Sequence, residues 1–296
     1  MKNIFLIILI VTGGLSAVSG CAKNLGSSPQ KVCIGTFNIG WLGDGGKDDK
    51  ILRTEEDFKR IAGVIAEANP DVMGLQEIKN PAALKHVLAY LPDYSFYIGQ
   101  HGRAQNVCVI YRKDVQVIDE GEFMPIAVDT SRNRPGLVLN CKKGNFDWKM
   151  MVVHFKSSSR YDSTPEMQTE ARRMRSAQAE VASKWVDSLL THGKEQDVFI
   201  VGDCNDFPQR TKNPTLTALV NNKNIEFLTY DSKSCSNEKW FGIDHIICTP
   251  SAKKRVITGS NHAVNFFAQY PKETADKISD HCPVVIEFDV MPPDND

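Results

Sequence analysis

The chain has 296 residues, 42% hydrophobic and 24% charged, with 35 basic against 36 acidic residues and a formal charge of −1. That balance suits a folded domain with one large core and excludes a disordered or fibrous chain. Near-neutrality also excludes a globally basic nucleic-acid binder, so contact with a polyanion has to rest on a local patch. The candidates are Arg172, Arg173 and Arg175 with Lys142, Lys143, Lys149, Lys156 and Arg160, and their alternative reading is a solvated face.

The first segment in chain order is MKNIFLIILIVTGGLSAVSGC, with Lys2, an apolar run from Ile4 to about Val11 and small residues before Cys21. This is the layout of a cleaved signal peptide, and it is too short for a comfortable membrane span. Val18-Ser19-Gly20-Cys21 resembles a bacterial lipobox, in which the cysteine is acylated and becomes the new N-terminus. The expectation is an exported bacterial lipoprotein of the cell envelope, on the outer membrane or cell surface, held by several acyl chains rather than one. Residues 1–20 are then the signal peptide, 21–30 a tether after lipidated Cys21, 31–290 one domain and 291–296 a polar tail. An ordinary secretory peptide cleaved elsewhere is the alternative.

Strand-like runs follow at Val32 to Phe37, Val72 to Gln76, Val107 to Tyr111, Val115 to Glu120, Leu137 to Cys141, Trp148 to Phe155, Val198 to Val201, Ile243 to Cys248 and Pro283 to Phe288. Helical patterns lie at Glu55 to Ala68, stopped by Asn69-Pro70, at Ala82 to Leu91, and from Pro165 to about Leu190. Strands outnumber helices and several follow one another directly. The pattern therefore predicts an α/β sandwich with helices outside packed sheets rather than a Rossmann alternation. Long loops are predicted at Gly40 to Lys50, Asp129 to Arg134, Lys156 to Ser163 and Ser232 to Lys239.

The chain has eight cysteines. Setting Cys21 aside leaves an odd number, which does not demand a disulfide framework. Cys33, Cys108, Cys141 and Cys248 sit in apolar runs and read as buried thiols. Cys204 and Cys282 lie beside candidate acids, without the ligand spacing that zinc requires.

The informative feature is what tips the strands. Asn38, Gln76-Glu77, His154, Asp203-Cys204-Asn205-Asp206, Asp244-His245 and Ser279-Asp280-His281 each stand at the end of a different apolar segment. One such tip is unremarkable, but six converging on one edge of a sandwich make a cluster of carboxylates, amides and imidazoles. Carboxylates crowded together need a cation, and hard oxygen donors suit Mg²⁺ or Mn²⁺, with Ca²⁺ as an alternative, over zinc. Such a site can hold a phosphate, orient a water and stabilise developing charge.

TFNIGW (36–41), LQEIKN (75–80), VVHFKS (152–157), VGDCND (201–206), IDHII (243–247) and SDHCPV (279–284) resemble, in this order, the signature segments of the endonuclease/exonuclease/phosphatase superfamily. The resemblance covers about residues 31 to 289; its members include pancreatic-type DNases, apurinic endonucleases, sphingomyelinases and inositol-polyphosphate phosphatases. It implies a four-layered α/β/β/α sandwich of two packed mixed sheets, with the site at one edge. It further implies Glu77 as principal metal ligand with Asn38 and Asp280 beside it, and Asp203 as the group orienting the attacking water. Asn205 holds a phosphate oxygen or that water, His281 pairs with Asp244, and His154 contacts phosphate. Arg134, before Pro135, and Lys156, two residues after His154 on its strand face, are candidate phosphate binders; a common loop dipeptide and a solvated lysine are their alternatives. His245 reads as a packing residue, and Asp206 and Cys204 as supporting or structural.

Two departures matter. Gly40 stands where some relatives carry a second metal-contacting acid, so a single metal is expected. Gln105 stands where pancreatic-type nucleases carry an acid behind the histidine, so His154 reads as a phosphate binder rather than a proton donor. The expected activity is metal-dependent phosphodiester hydrolysis by in-line attack of water, with nucleic acid as the preferred substrate and a monomer as the working unit. The alternatives are a sphingomyelinase- or inositol-phosphatase-like enzyme on a lipid or small phosphate ester, and a non-catalytic surface binder of the same fold.

Overall fold

The computed structural model describes residues 30–158 and 162–294. The signal segment, Cys21 and Arg160 lie outside the described residues. Two six-stranded mixed sheets form the frame. The first has β1 (Lys31–Leu42), β2 (Val72–Ile78), β3 (Tyr94–Ile98), β4 (Asn106–Arg112), β11 (His262–Ala263) and β12 (Val284–Asp289), in the order β11-β12-β1-β2-β4-β3. The second has β5 (Gln116–Phe123), β6 (Gly136–Lys143), β7 (Phe146–His154), β8 (Val198–Asp203), β9 (Glu226–Phe227) and β10 (Asp244–Cys248), in the order β5-β6-β7-β8-β10-β9.

Each sheet contains one parallel pair, β1 with β2 and β7 with β8. Parallel neighbours need a long crossover, and here each crossover is a helix. Between β1 and β2 runs α1 (Glu55–Ala68), started by a Thr54–Asp57 capping box and stopped by Asn69 in the left-handed conformation. Between β7 and β8 runs α3 (Pro165–His192), capped by Thr164 with Pro165 at its first position. In the connection from β2 to β3 lies α2 (Pro81–Leu88), and α4 (Thr217–Val220), α5 (Pro250–Lys253) and α6 (Lys272–Ile278) complete the set.

Three apolar layers hold these parts together. Val32, Ile34 and Ile286 of the first sheet meet Trp148, Phe199 and Ile246 of the second in the central layer. Phe58, Ile61 and Ile65 of α1, with Leu84 of α2 and Ile278 of α6, cover the outer face of the first sheet. Ala179, Ala182 and Val186 of α3, with Leu219 of α4, cover the outer face of the second. This is the four-layered sandwich that the sequence predicts.

The differences are local. β1 runs on to Leu42, past the predicted loop start at Gly40, because an irregularity between Asn38 and Leu42 lets pairing with β2 resume. α2 ends at Leu88 rather than Leu91, since Tyr90 and Leu91 bond back three residues, to Val87 and Leu88. β3, β9, β11 and α6 escape the periodicity argument. Among the described residues the candidate basic patch does not assemble. Arg175 is buried, donating to Thr215, Ser158 and the Lys156 carbonyl, and Arg173 pairs with Glu170. Lys142 and Lys143 stand at the strand ends opposite to His154.

Candidate functional site

The two crossovers make the carboxyl ends of β1, β2, β7 and β8 point to one edge, and β10 and β12, antiparallel to their neighbours, start there. Their register sets the site. His154 pairs laterally with Asp203, and Asp203 with Asp244, so three side chains form one row across β7, β8 and β10. On the facing sheet Asn38 pairs with Gln76.

Glu77 reaches the edge by another device. A bulge in β2 lies between Leu75 and Ile78, and Glu77 within it has φ 64°; Trp41 (φ 49°), Gly40 (φ 63°) and Asn205 (φ 52°) adopt the same region. Three of these, Glu77, Trp41 and Asn205, are not glycine, and such left-handed positions clustered at one edge are the kind of backbone strain that re-aims side chains at functional sites. Gln76 stays buried below and bonds Thr36, whereas Glu77 turns outward and its Oε2 accepts from the Trp41 amide at 2.9 Å. The glycine of VGDCND is also explained. Gly202 has φ 146°, and a Cβ there would stand 2.0 Å from the Val153 carbonyl oxygen.

Asp203 is the centre. Its Oδ2 accepts from Asn38 Nδ2 at 3.0 Å, across the sheet interface, and its Oδ1 accepts from the Asn205 amide at 2.8 Å. His154 Nε2 lies 3.5 Å and His281 Nε2 3.9 Å from Oδ2. His154 Nε2 is also 3.9 Å from Glu77 Oε1. His281 Nδ1 is 2.7 Å from Asp244 Oδ2, which keeps the proton on Nδ1 and presents Nε2 to the site. Asp280 stands at the rim with its side chain 85% exposed and Oδ1 4.0 Å from His281 Nε2. Asn205 donates its side-chain amide to the Phe155 carbonyl at 3.1 Å, locking the turn after β8.

Electrostatics separate the three titrating centres. Burial pushes the Asp203 carboxyl up to about 7, with Asp244 adding to the rise, while His281 and the bonds from Asn205 and Asn38 oppose it. Burial works against a charged His281, but Asp244, Asp203 and Asp280 outweigh it and lift the imidazole well above its ordinary value. His154 goes the other way, driven well below by burial, with Arg134, His281 and Lys156 adding. One histidine is thus held cationic and the other neutral.

The structure brings together Asn38, Glu77, His154, Asp203, Asn205, Asp244, Asp280 and His281. Arg134 and Lys156 line an adjoining cleft of about 650 Å³ with Trp41, Lys50, Arg103 and Arg132. Arg134 donates to Gln105 Oε1 at 3.0 Å. Lys156 does not share the strand face of His154 as expected: β7 ends at His154, and the lysine, in the following loop, bonds Asp162 at 3.0 Å and the Ser157 carbonyl. His245 is buried between Thr229 and the Asp206 carbonyl, the packing role expected of it. Asp206 braces Thr215.

Three features escaped the sequence reading. Ser279 accepts from the His281 amide and donates to the Asn38 carbonyl, bolting two tips together. Arg53, buried, donates to the carbonyls of Ile39, Gly40, Trp41, Lys277 and Ile278, and so ties the irregular end of β1 after Asn38 to the end of α6 just before Asp280. A lone arginine before a helix cap carries no signal of this in sequence. Cys282 is not a lone thiol, because it forms a disulfide with Cys235, 47 residues away. Cys33, Cys108, Cys141 and Cys248 are free and buried as read, and Cys204 is free and buried too.

The donors fit a hard divalent cation. Glu77, Asn38 and Asp280 offer oxygens, and among the described residues the buried Nδ1 of His154 and Oδ1 of Asp244 have no hydrogen-bond partner, so the edge is polar beyond what its own bonds satisfy. Asp203, Asp244 and His281 also bring ligand atoms within 4.8 Å of one another, but there the imidazole proton already bridges two of them. A second acidic group, Asp44, Asp48 and Asp49, is bridged by Lys79, which contacts all three carboxylates.

The sequence signature described as "Endonuclease/Exonuclease/phosphatase family" matches residues 35–281. No curated protein sequence matches significantly. Among solved structures, truncated TDP2 from Caenorhabditis elegans superposes with a TM-score of 0.61 at 17% identity, covering 87% of this chain and 97% of that one. The human Nocturnin catalytic domain with bound sulfate gives 0.60 at 14%, covering 87% and 94%. A mannosyl-6-phosphatase from Bacteroides thetaiotaomicron gives 0.60 at 16%, covering 86% and 98%. At these identities the likeness is one of fold.

Proposed function

The chain belongs to the endonuclease/exonuclease/phosphatase family of phosphoric-ester hydrolases, and on that premise we propose that it is a divalent-metal-dependent phosphodiesterase, a nuclease by preference, acting by in-line attack of water. The observation that carries this reading is the setting of Asp203. Its two oxygens are pinned by Asn38 and Asn205, and two imidazole Nε2 atoms face the same oxygen from opposite protonation states.

In this reading Glu77, Asn38 and Asp280 hold a Mg²⁺ or Mn²⁺ ion, which when bound screens the phosphate and raises the electrophilicity of phosphorus. Asp203 orients the attacking water and takes its proton, a role suited to a carboxyl held near neutrality. His281, kept cationic by Asp244, balances charge growing on the phosphoryl oxygens. Neutral His154 contacts the phosphate, and its buried Nδ1 has no hydrogen-bond partner among the described residues. Asn205 secures the turn that carries these groups.

Nucleic acid is favoured by the cleft next to Glu77 and His154, where Lys50, Arg103, Arg132, Arg134 and Lys156 outnumber Glu77 and Asp162. A small phosphomonoester is the second reading, because Asp162 pairs with both Arg132 and Lys156 and reduces the charge available for a backbone. The lipobox-like segment supports an exported, lipid-anchored protein, and the disulfide is of the kind an oxidising compartment permits.

The test is incubation of the protein with plasmid DNA, RNA, sphingomyelin, a sugar phosphate and bis(p-nitrophenyl) phosphate, each with Mg²⁺ or chelator. DNA or RNA cleavage that requires Mg²⁺ supports the reading. Phosphate release from the sugar ester with intact nucleic acid selects the second, and inertness toward every ester overturns both.

A further inference from the structure

A second cavity, of about 350 Å³, opens beside Asp280 and His281 and is walled by Lys233, Cys235, Trp240 and Phe241. Its wall is the loop leading into β10, and that loop is braced at every level. Lys233 and Phe241 form an isolated bridge, the Gly242 amide donates to the Ser232 carbonyl at 2.9 Å, and the Ser234 amide to the Trp240 carbonyl at 3.0 Å. The Phe241 ring stacks on Phe207, and Lys233 Nζ covers it 3.4 Å from the centroid. The Cys235–Cys282 disulfide closes the frame.

Against that bracing, Trp240 is 64% exposed. Leaving an indole in water forgoes one of the largest burial gains a side chain offers, and a braced loop has no need of a free aromatic for its own stability. A wet indole on a braced loop beside a phosphate-handling centre is a stacking platform. The disulfide gives it a fixed place: Cys282 follows His281 directly, so the bond to Cys235 ties the wall to the residue next to the imidazole.

We propose that the Cys235–Cys282 disulfide positions the loop so that Trp240 stacks on a planar ring carried by the substrate, a nucleobase, which makes this wall a specificity-determining part of the site. The inference rests on reading the site as a phosphoesterase. Opening the disulfide with a dithiol transfers two electrons: the S–S bond breaks, Cys235 and Cys282 take up the two protons, and the dithiol leaves as its own disulfide. Opening the bond frees the wall without touching Asp203.

The test compares the parent protein, W240A and the double variant C235S/C282S on a dinucleotide and on the same dinucleotide made abasic at one sugar or the other. The parent is expected to prefer a fully based substrate in kcat/KM. That preference is expected to fall at least tenfold in both variants, through KM, with circular dichroism unchanged. In parallel, thymidine monophosphate in chelator is expected to quench the Trp240 fluorescence, read as parent minus W240F, and dithiol treatment of the parent to remove the quenching. Quenching needs no turnover, so an inert parent that still quenches condemns the catalytic reading alone. An unchanged preference and no quenching overturn the proposal, as does a disulfide variant or reduced parent that behaves like the oxidised parent. Should the double variant fail to fold, the reduced parent decides.

Discussion

Asn38 Nδ2 lies 3.0 Å from Asp203 Oδ2, and this one hydrogen bond joins the tip of β1 in one sheet to the tip of β8 in the other. The central carboxylate is therefore held by the frame rather than by its own strand alone. Replacing Asp203 by Asn keeps the shape and deletes the base. The expected result is a loss of about 10²- to 10⁴-fold in kcat on bis(p-nitrophenyl) phosphate with circular dichroism unchanged. Turnover within a factor of three of the parent would remove Asp203 from the mechanism.

The same substitution tests the raised carboxyl. Folded Asp203 releases its proton near 7, above the ordinary aspartate range near 4, so between those values the folded state binds the extra proton. Stability from this group is full at pH 4 and falls as pH rises to 7. In chelator, the melting temperature of the parent relative to Asp203→Asn is thus expected to drop by several degrees over that interval. A flat or rising difference contradicts the assignment.

Glu77→Gln keeps the hydrogen bond from Trp41 available while removing a charge from the cation's donors. The Mg²⁺ concentration giving half-maximal activity is expected to rise about tenfold or more, with part of the lost rate recovered at high Mg²⁺. Identical Mg²⁺ titrations for variant and parent would mean that Glu77 is not a ligand.

Arg53→Met strands carbonyls at the ends of β1 and α6 that the guanidinium now bonds. A cost of about 3 kcal/mol or more in urea unfolding is expected, with a Mg²⁺ requirement shifted upward, because these segments adjoin Asn38 and Asp280. Stability within about 0.5 kcal/mol of the parent would show that water replaces the arginine.

Gly202→Ala forces a methyl against the Val153 carbonyl. Destabilisation of about 2 kcal/mol or more is expected, alongside lost activity as Asp203 is displaced. A variant as stable as the parent would show that the backbone can yield there.

How far the sequence reached follows from range. Apolar runs and their polar tips are written locally, so the nine predicted strands and the eight clustered residues could be read directly. Glu77 was placed at a strand end, but the bulge that turns it outward depends on pairing with β1 and β4 and leaves no local trace. Arg53 and Ser279 act through carbonyls of distant segments, and backbone partners have no side-chain signature. Cys235 and Cys282 pair across 47 residues, and an odd cysteine count gave no reason to join them.

His154, Asp203 and Asp244 stand as direct lateral neighbours on three hydrogen-bonded strands. Their separations are therefore inherited from the interstrand repeat of about 4.8 Å, which every sheet shares. Loops around this edge can lengthen, shrink or be exchanged without retuning the distances on which the chemistry depends. A slip of β8 by a single residue, in contrast, would present Gly202 in place of the acid and silence the enzyme at one stroke. Evolution of a new substrate range on this scaffold is free in the rims and forbidden in the register.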